Sequence, residues 1–216
     1  MHTVKLGGQT IPIGKIVCIG RNYVEHIKEL GNQTPDKPVI FIKPASSFVS
    51  SGGTVVIPGY SDDCHHEIEL AVLIGKTAKD VTVEAALDYV SGYAVALDLT
   101  LRDVQGVQKT KGLPWEIAKA FDTSCPLSDF VPTSQVDDPQ NLQLKLTVNG
   151  EVRQNGNTRD MIRNIAELIA ATSAYFTLEE GDVLLTGTPS GVGRIVSGDR
   201  LEASIEQVGT LLVTVA

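Results

Sequence analysis

Short apolar runs separated by glycine, proline and polar loops give this chain a β-rich rhythm, broken by a few stretches of helical spacing. Residues 4–6 and 9–13 flank Gly7-Gly8, whose freedom at positive φ suits a tight turn, and predict an N-terminal hairpin flap over residues 1–15. Residues 16–19 read as a buried strand ended by Gly20. Further strands are predicted at 39–43 and 54–57, separated by the polar 32–37 loop and a turn at 50–53. Residues 65–74 start polar and run into an apolar strand, and 92–100 form another apolar run, interrupted by Asp98. Residues 142–148 and 151–154 around Asn149-Gly150 are the clearest hairpin, and strands at 181–186, 201–205 and 210–215 close the sheet. Helices are predicted at 21–31 with Asn22 as cap, at 82–90 with Thr82 as cap, at 101–110, and at 161–176, where Ile162, Ile165, Leu168, Ile169 and Thr172 share a face.

No repeat, low-complexity tract or linker divides the sequence, so one domain over residues 1–216 is expected. The hydrophobic fraction of 42% and charged fraction of 20% describe an ordinary globular chain rather than a disordered one. A net charge of −8 argues against a nucleic-acid or anionic-membrane surface and favours a small-molecule ligand. No apolar run approaches the ~20 residues that span a bilayer, and residues 1–10 lack a signal-peptide pattern, so the expected compartment is the cytoplasm. The three cysteines form no Cys-x-x-Cys spacing, which leaves no zinc ribbon or redox pair to read, and Cys18 reads as a small buried hydrophobe.

Chemistry concentrates first at His65-His66-Glu67-Ile68-Glu69. Side chains alternate faces along a strand, so Glu67 and Glu69 point the same way, and the repulsion between them is relieved by a cation. A solvated carboxylate at a strand edge is the alternative. Asp98, inside an apolar run, is costly to bury unless paired or metal-bound, which makes it the natural third ligand. Oxygen-only donors suit Mg²⁺, with Mn²⁺ or Ca²⁺ also compatible. His26 and Glu29, three apart on a helix, can form a pair in which the carboxylate raises the imidazole's basicity, or an exposed surface pair. Arg102 and Gln105 share a helical face just beyond Asp98, and Lys119 lies among apolar neighbours. The glycine-rich stretch 187–193 lacks the Gly-Lys-Ser/Thr of a P-loop; it reads as a binder of a substrate carboxylate through backbone N–H groups and Thr188, or as a plain strand connection.

Taken in order, Ile19-Gly20-Arg21-Asn22-Tyr23 with His26 and Glu29, His66-Glu67-Ile68-Glu69-Leu70, Ala96-Leu97-Asp98-Leu99-Thr100 with Arg102 and Gln105, Trp115-Glu116 through Asp122, and the 185–193 stretch resemble the fumarylacetoacetate hydrolase family, in its short single-domain acylpyruvase-like branch. That resemblance implies an α+β, β-rich fold, a mixed β-sandwich roll with flanking helices and a short lid helix, usually in a homodimer. It implies Mg²⁺ or Mn²⁺ at Glu67, Glu69 and Asp98, a lid dyad of His26 and Glu29 that orients water, and substrate contacts from Arg21, Arg102, Gln105 and Lys119. The longer hydrolases add a carboxylate ligand from an N-terminal region without counterpart in this sequence, which would leave the ion with more open or water-filled positions. The activity implied first is metal-dependent hydrolysis of acylpyruvates to pyruvate and a carboxylate. Oxaloacetate decarboxylation or keto–enol tautomerisation, isomerisation or decarboxylation of a 2-hydroxymuconate-type acid, and binding of 2-oxo acids without turnover are the alternatives.

Overall fold

The computed structural model describes residues 2–31 and 33–216; Met1 and Asn32, the first residue of the predicted 32–37 loop, lie outside the described residues. The fold is the expected strand-rich α+β roll. Among the described residues an eight-stranded mixed sheet runs in the order Val39–Lys43, Ile16–Gly20, Val183–Leu185, Ile68–Ile74, Val90–Leu97, Cys125–Leu127 and Phe48–Ser50, with Val131–Pro132 pairing beside Val90–Leu97. A five-stranded sheet, ordered Glu151–Asn157, Gln143–Val148, Arg200–Ile205, Gly209–Val215 and Thr54–Val55, packs on it. Asn149 and Gly150, at φ 53 and 85°, make the predicted hairpin turn.

The central strand Ile68–Ile74 is buried along its whole length because both its faces are covered. Ile68, Leu70 and Val72 join the larger core with Leu144, Leu146 and Leu211 of the five-stranded sheet. Ala71 and Leu73 point into a second core with Ile16, Cys18, Ala94 and Ala96. By the same alternation, Glu67 and Glu69 continue this second face. The N-terminal hairpin forms from Thr3–Leu6 and Gln9–Pro12, with Val4, and Ile13 just after its second strand, buried in the second core.

Four α-helices among the described residues flank the sheets: α1 (Val24–Glu29), α2 (Arg102–Lys111), α3 (Glu116–Lys119) and α4 (Ile165–Tyr175). Three expectations are corrected. The 82–90 helix shrinks to a 3₁₀ turn at Ala86–Tyr89, since Val83 and Leu87 lie exposed and only Ala86 of the apolar set is buried. Helix α4 starts at Ile165 rather than 161, fixed by a reciprocal Asn164/Glu167 capping box. Asn22 does not cap α1, whose N-cap is Tyr23. Its amide instead donates to the carbonyls of Thr186 and Arg163, at 2.9 and 3.0 Å, and accepts from Arg163 N–H, tying the lid helix to the start of the glycine-rich loop. No helix among the described residues is long and apolar enough to cross a membrane.

Candidate active site

Sheet register assembles the acidic cluster. Ile68 and Glu69 pair with Leu97 and Ala96, so the next residues outward, Glu67 and Asp98, face each other across the ladder, joined by Asp98 N–H to Glu67 O at 2.8 Å. Ligand atoms of Glu67, Glu69 and Asp98 lie within 4.8 Å of one another, and all three residues are buried. Bringing three carboxylates this close in a dry interior requires countercharge.

Three cations supply it. Lys119, placed by α3 and itself buried, donates to Glu67 Oε2 at 2.9 Å and Asp98 Oδ2 at 2.6 Å. Arg102, at the first position of α2, donates to Glu67 Oε1 and, at 3.0 Å, to Gln105 Oε1. Lys43, fully buried, lies 2.9 Å from Asp98 Oδ1. Burial opposes ionisation of Glu67, but Lys119 and Arg102 outweigh it and hold that carboxyl well below the usual carboxylate range. Burial also works against the Lys119 ammonium, which Asp98 and Glu67 nevertheless hold above the ordinary lysine range. Glu69 shows the opposite balance: burial, then Asp98 and Glu67, push it well above the usual carboxylate range.

Whether this donor set suits a metal is decided at Asp98. Its Oδ1 accepts no hydrogen bond despite the nearby ammonium, because the Lys43 protons are drawn to the carbonyls of Leu99, Lys119 and Ser124 and to the Ser124 hydroxyl. A buried carboxylate oxygen with unused lone pairs, beside two further carboxylates, fits a hard divalent cation such as Mg²⁺ or Mn²⁺.

His26, 5% exposed, places Nδ1 at 3.3 Å from Glu29 Oε2, so the lid pair is a real contact and not a surface coincidence. His26, Glu67 and Lys119 line one small cavity of about 40 Å³ with Arg21, Arg102 and Gln105, so these six candidate residues converge on it, while Glu29 and Thr188 lie outside its wall. A depression of about 580 Å³ on the five-stranded sheet, between Asn149 and Leu212, is remote from the acidic cluster.

Thr188 takes a different part from the one predicted. Its hydroxyl donates to Ile68 O at 2.7 Å and accepts from Gln154 Nε2 at 2.8 Å, so its proton is engaged by the chain itself. The loop's N–H groups do bind carboxylates, but the protein's own: Gly187 N–H donates to Glu69 at 2.6 Å and Gly191 N–H to Glu29 at 3.0 Å. One loop thus braces a candidate metal ligand and the lid dyad together.

Two contributors escape a reading of the sequence. Lys43 ends an apolar strand, where a lysine is ordinarily solvated; the available signal was that it shares the buried face of Phe41. Gln154, fully buried, accepts from Ile68 N–H at 2.9 Å, lies 3.1 Å from His66 Nδ1 and donates to Thr188 and Pro189. These partners are far from it in sequence and leave no local signal. His66 faces Gln154 and stays out of the acidic triad. Cys18, Cys64 and Cys125 are all buried and free, and burial pushes the Cys64 thiol up to about 12, which makes it a poor nucleophile.

Residues 15–216 match the family described as fumarylacetoacetate (FAA) hydrolase C-terminal. The chain is 54% identical over 196 residues to Oxaloacetate tautomerase YcgM of Escherichia coli K12, covering 90% of each chain. It is 50% identical over 193 residues to Oxaloacetate tautomerase FAHD1, mitochondrial, of Bos taurus, covering 89% of this chain and 87% of the relative. Among solved structures, fumarylpyruvate hydrolase from Pseudomonas aeruginosa in complex with Mn²⁺ and pyruvate superposes with a TM-score of 0.95 at 39% identity, covering 99% of this chain and 95% of that one.

Proposed function

The chain belongs to the fumarylacetoacetate hydrolase family, and from that premise we propose that it is a divalent-metal-dependent enzyme of oxaloacetate, catalysing its keto–enol tautomerisation and decarboxylation. The observation that carries the reading is that the cluster of Glu67, Glu69 and Asp98 reaches, through Glu67, the cavity that Lys119 and the Glu29-paired His26 also line. The names of the E. coli and bovine relatives favour oxaloacetate over other 2-oxo acids. Glu67, Glu69 and Asp98 would hold the ion. When bound, Mg²⁺ or Mn²⁺ polarises the oxygens of a 2-oxo acid and favours the enolate.

The remaining work falls to side chains. Lys119, kept protonated by its carboxylate neighbours, offers positive charge to the oxygen on which the enolate develops. Gln105 and Arg102 orient the substrate's carboxylate. His26, steadied through Nδ1 by Glu29, presents its other ring nitrogen to take a proton from C3 or return one, which interconverts keto and enol forms. In decarboxylation the carboxylate leaves as CO₂, the bonding electrons stay on C3 as an enolate, and a proton from His26 or water completes pyruvate. The proposed assembly is a homodimer in the cytoplasm.

Acylpyruvate hydrolysis is the second reading, favoured by the same dyad, since His26 held by Glu29 can also deprotonate water for attack on the distal carbonyl. The likeness to the Pseudomonas fumarylpyruvate hydrolase supports it. Turnover by the wild type separates the two. Assayed with Mn²⁺ on enol-oxaloacetate and acetylpyruvate, tautomerisation and decarboxylation without acetylpyruvate cleavage would favour the first reading and acetylpyruvate cleavage without oxaloacetate turnover the second, while His26→Ala should slow whichever reaction is present. A wild-type protein that converts neither substrate, with or without Mn²⁺, would overturn both readings in favour of a binding protein.

A further inference from the structure

The oxygens around Lys43 outnumber the protons it can give them. A lysine ammonium carries three N–H donors and no acceptor. Among the described residues five oxygens surround the nitrogen of this fully buried side chain: the carbonyls of Leu99 at 3.3 Å, Ser124 at 3.1 Å and Lys119, the Ser124 hydroxyl at 3.1 Å, and Asp98 Oδ1 at 2.9 Å. The Ser124 hydroxyl turns its own proton to the Lys119 carbonyl, at 2.9 Å, and so offers Lys43 lone pairs only. Asp98 Oδ1 is the acceptor left without a hydrogen bond. Three directed donors cannot serve such a shell, whereas a spherical cation attracts every oxygen in it at once, as carbonyl cages do when they replace the hydration shell of K⁺.

Three separate segments aim these oxygens at one point. Leu99 follows the Val90–Leu97 strand, Lys119 ends α3, and Ser124 precedes the Cys125–Leu127 strand. Leu99 N–H donates to Ser124 O at 3.0 Å and ties two of the segments together. Just before Ser124, Thr123 adopts φ 68°, a left-handed conformation that a β-branched residue rarely enters. Four of the five oxygens stand 2.9–3.3 Å from the nitrogen. That is beyond the roughly 2.0–2.1 Å at which Mg²⁺ holds oxygen and the roughly 2.3–2.6 Å of Ca²⁺, so the shell suits a larger ion. One carboxylate among neutral oxygens matches a single positive charge.

We propose that the carbonyls of Leu99, Lys119 and Ser124, the Ser124 hydroxyl and Asp98 form a monovalent-cation site of the K⁺ or ammonium class, and that Lys43 fills it with a tethered cation of its own. The site shares Asp98 with the acidic triad and holds the backbone that carries Lys119. It goes beyond the oxaloacetate reading and does not depend on it. Shortening Lys43 converts a built-in ion into a required one, and the protein then depends on a cation from solution.

The test needs no turnover. Lys43→Ala deletes the ammonium and the methylenes that carry it, the atoms that n-propylammonium would replace, while Lys43→Met loses the charge and keeps a chain that blocks the site. Wild type and both variants are refolded from urea with EDTA, in choline chloride or at the same ionic strength in KCl or n-propylammonium chloride, and then unfolded by heat. K⁺ and n-propylammonium, at a hundredfold excess over Kd, should raise the Tm of Lys43→Ala by about 5–10 °C over its value in choline. Wild type and Lys43→Met should show no such rise. If Lys43→Ala does not fold in choline, its yield of folded protein on refolding in the two cations reads the same dependence. Crystals of Lys43→Ala grown with Rb⁺ should place the anomalous peak of that ion among the same five oxygens. A Lys43→Ala protein that gains no more from the cations than the wild type or Lys43→Met, that folds in none of them, or that binds Rb⁺ only elsewhere would overturn the site. Absence of oxaloacetate turnover by the wild type would instead overturn the proposed activity and leave the cation site standing.

Discussion

Replacing Lys43 by Met removes an ammonium from the most enclosed part of the site while keeping the side chain's volume. The group is fully buried, lies 2.9 Å from Asp98 Oδ1, and is shared among the carbonyls of Leu99, Lys119 and Ser124 and the Ser124 hydroxyl. Breaking a buried ion pair from one side costs about 3–5 kcal/mol. Asp98 keeps Lys119 at 2.6 Å, which places the expected loss near the low end, about 3 kcal/mol, for the metal-free protein. Against a total stability of about 5–15 kcal/mol that is a large share, and in a chain of this size it lowers Tm by roughly 6–12 °C. Mn²⁺ at the triad would supply part of the missing positive charge. If the ion restores half of the loss, the thermodynamic cycle requires Mn²⁺ to bind about tenfold more tightly to Lys43→Met than to the wild type. Thermal unfolding with EDTA and with saturating Mn²⁺, together with direct Mn²⁺ titration, reads all three quantities. Equal losses of Tm with and without Mn²⁺, or weaker Mn²⁺ binding by the variant, would refute the view of Lys43 as the countercharge of the acidic cluster.

Other expectations follow from single contacts. Asn164→Ala removes the capping box of α4 and should cost about 1 kcal/mol in urea unfolding, without changing Mn²⁺ affinity. Gly191→Ala places a methyl against the Arg153 carbonyl at φ 95°, so a loss of about 2 kcal/mol or more is expected, with weakened closure of the lid that Gly191 N–H holds through Glu29. For Asp103, burial is outweighed by hydrogen bonds from Ser61, Asp62 N–H and Val104 N–H, which hold its carboxyl below the usual range. A depressed folded-state pKa contributes stability above the unfolded value that is lost as pH falls through the folded one. Asp103→Asn should therefore be less stable than wild type at neutral pH, and the gap should close under acid conditions in paired denaturation curves; a gap independent of pH would contradict this.

What could be read from the chain alone was whatever depends on local period. Two-residue alternation put Glu67 and Glu69 on one face, and the apolar run around Asp98 marked a buried carboxylate; the register of two adjacent strands then joined them. Three-residue spacing likewise anticipated the His26–Glu29 and Arg102–Gln105 contacts. Long-range assignments were not legible. Asn22 has the chemistry of a cap, yet its partners are Arg163 and Thr186, and the hydroxyl of Thr188 is consumed by Ile68 and Gln154. The 82–90 segment has helical spacing without a surface to bury, so tertiary packing overrode its pattern. Lys43 is the sharpest case: nothing within ten residues of it shows that its strand ends against Asp98.

The central claim, that the buried acidic triad is a working metal centre for oxaloacetate, is tested most directly by following conversion of enol-oxaloacetate to the keto form during Mn²⁺ titration of the wild type and Asp98→Asn. The account predicts a rate that rises with Mn²⁺ occupancy, vanishes with EDTA, returns on readdition, and is lost with Mn²⁺ affinity in the variant. A rate indifferent to EDTA, or an Asp98→Asn protein that binds Mn²⁺ and converts the enol as well as the wild type, would contradict it.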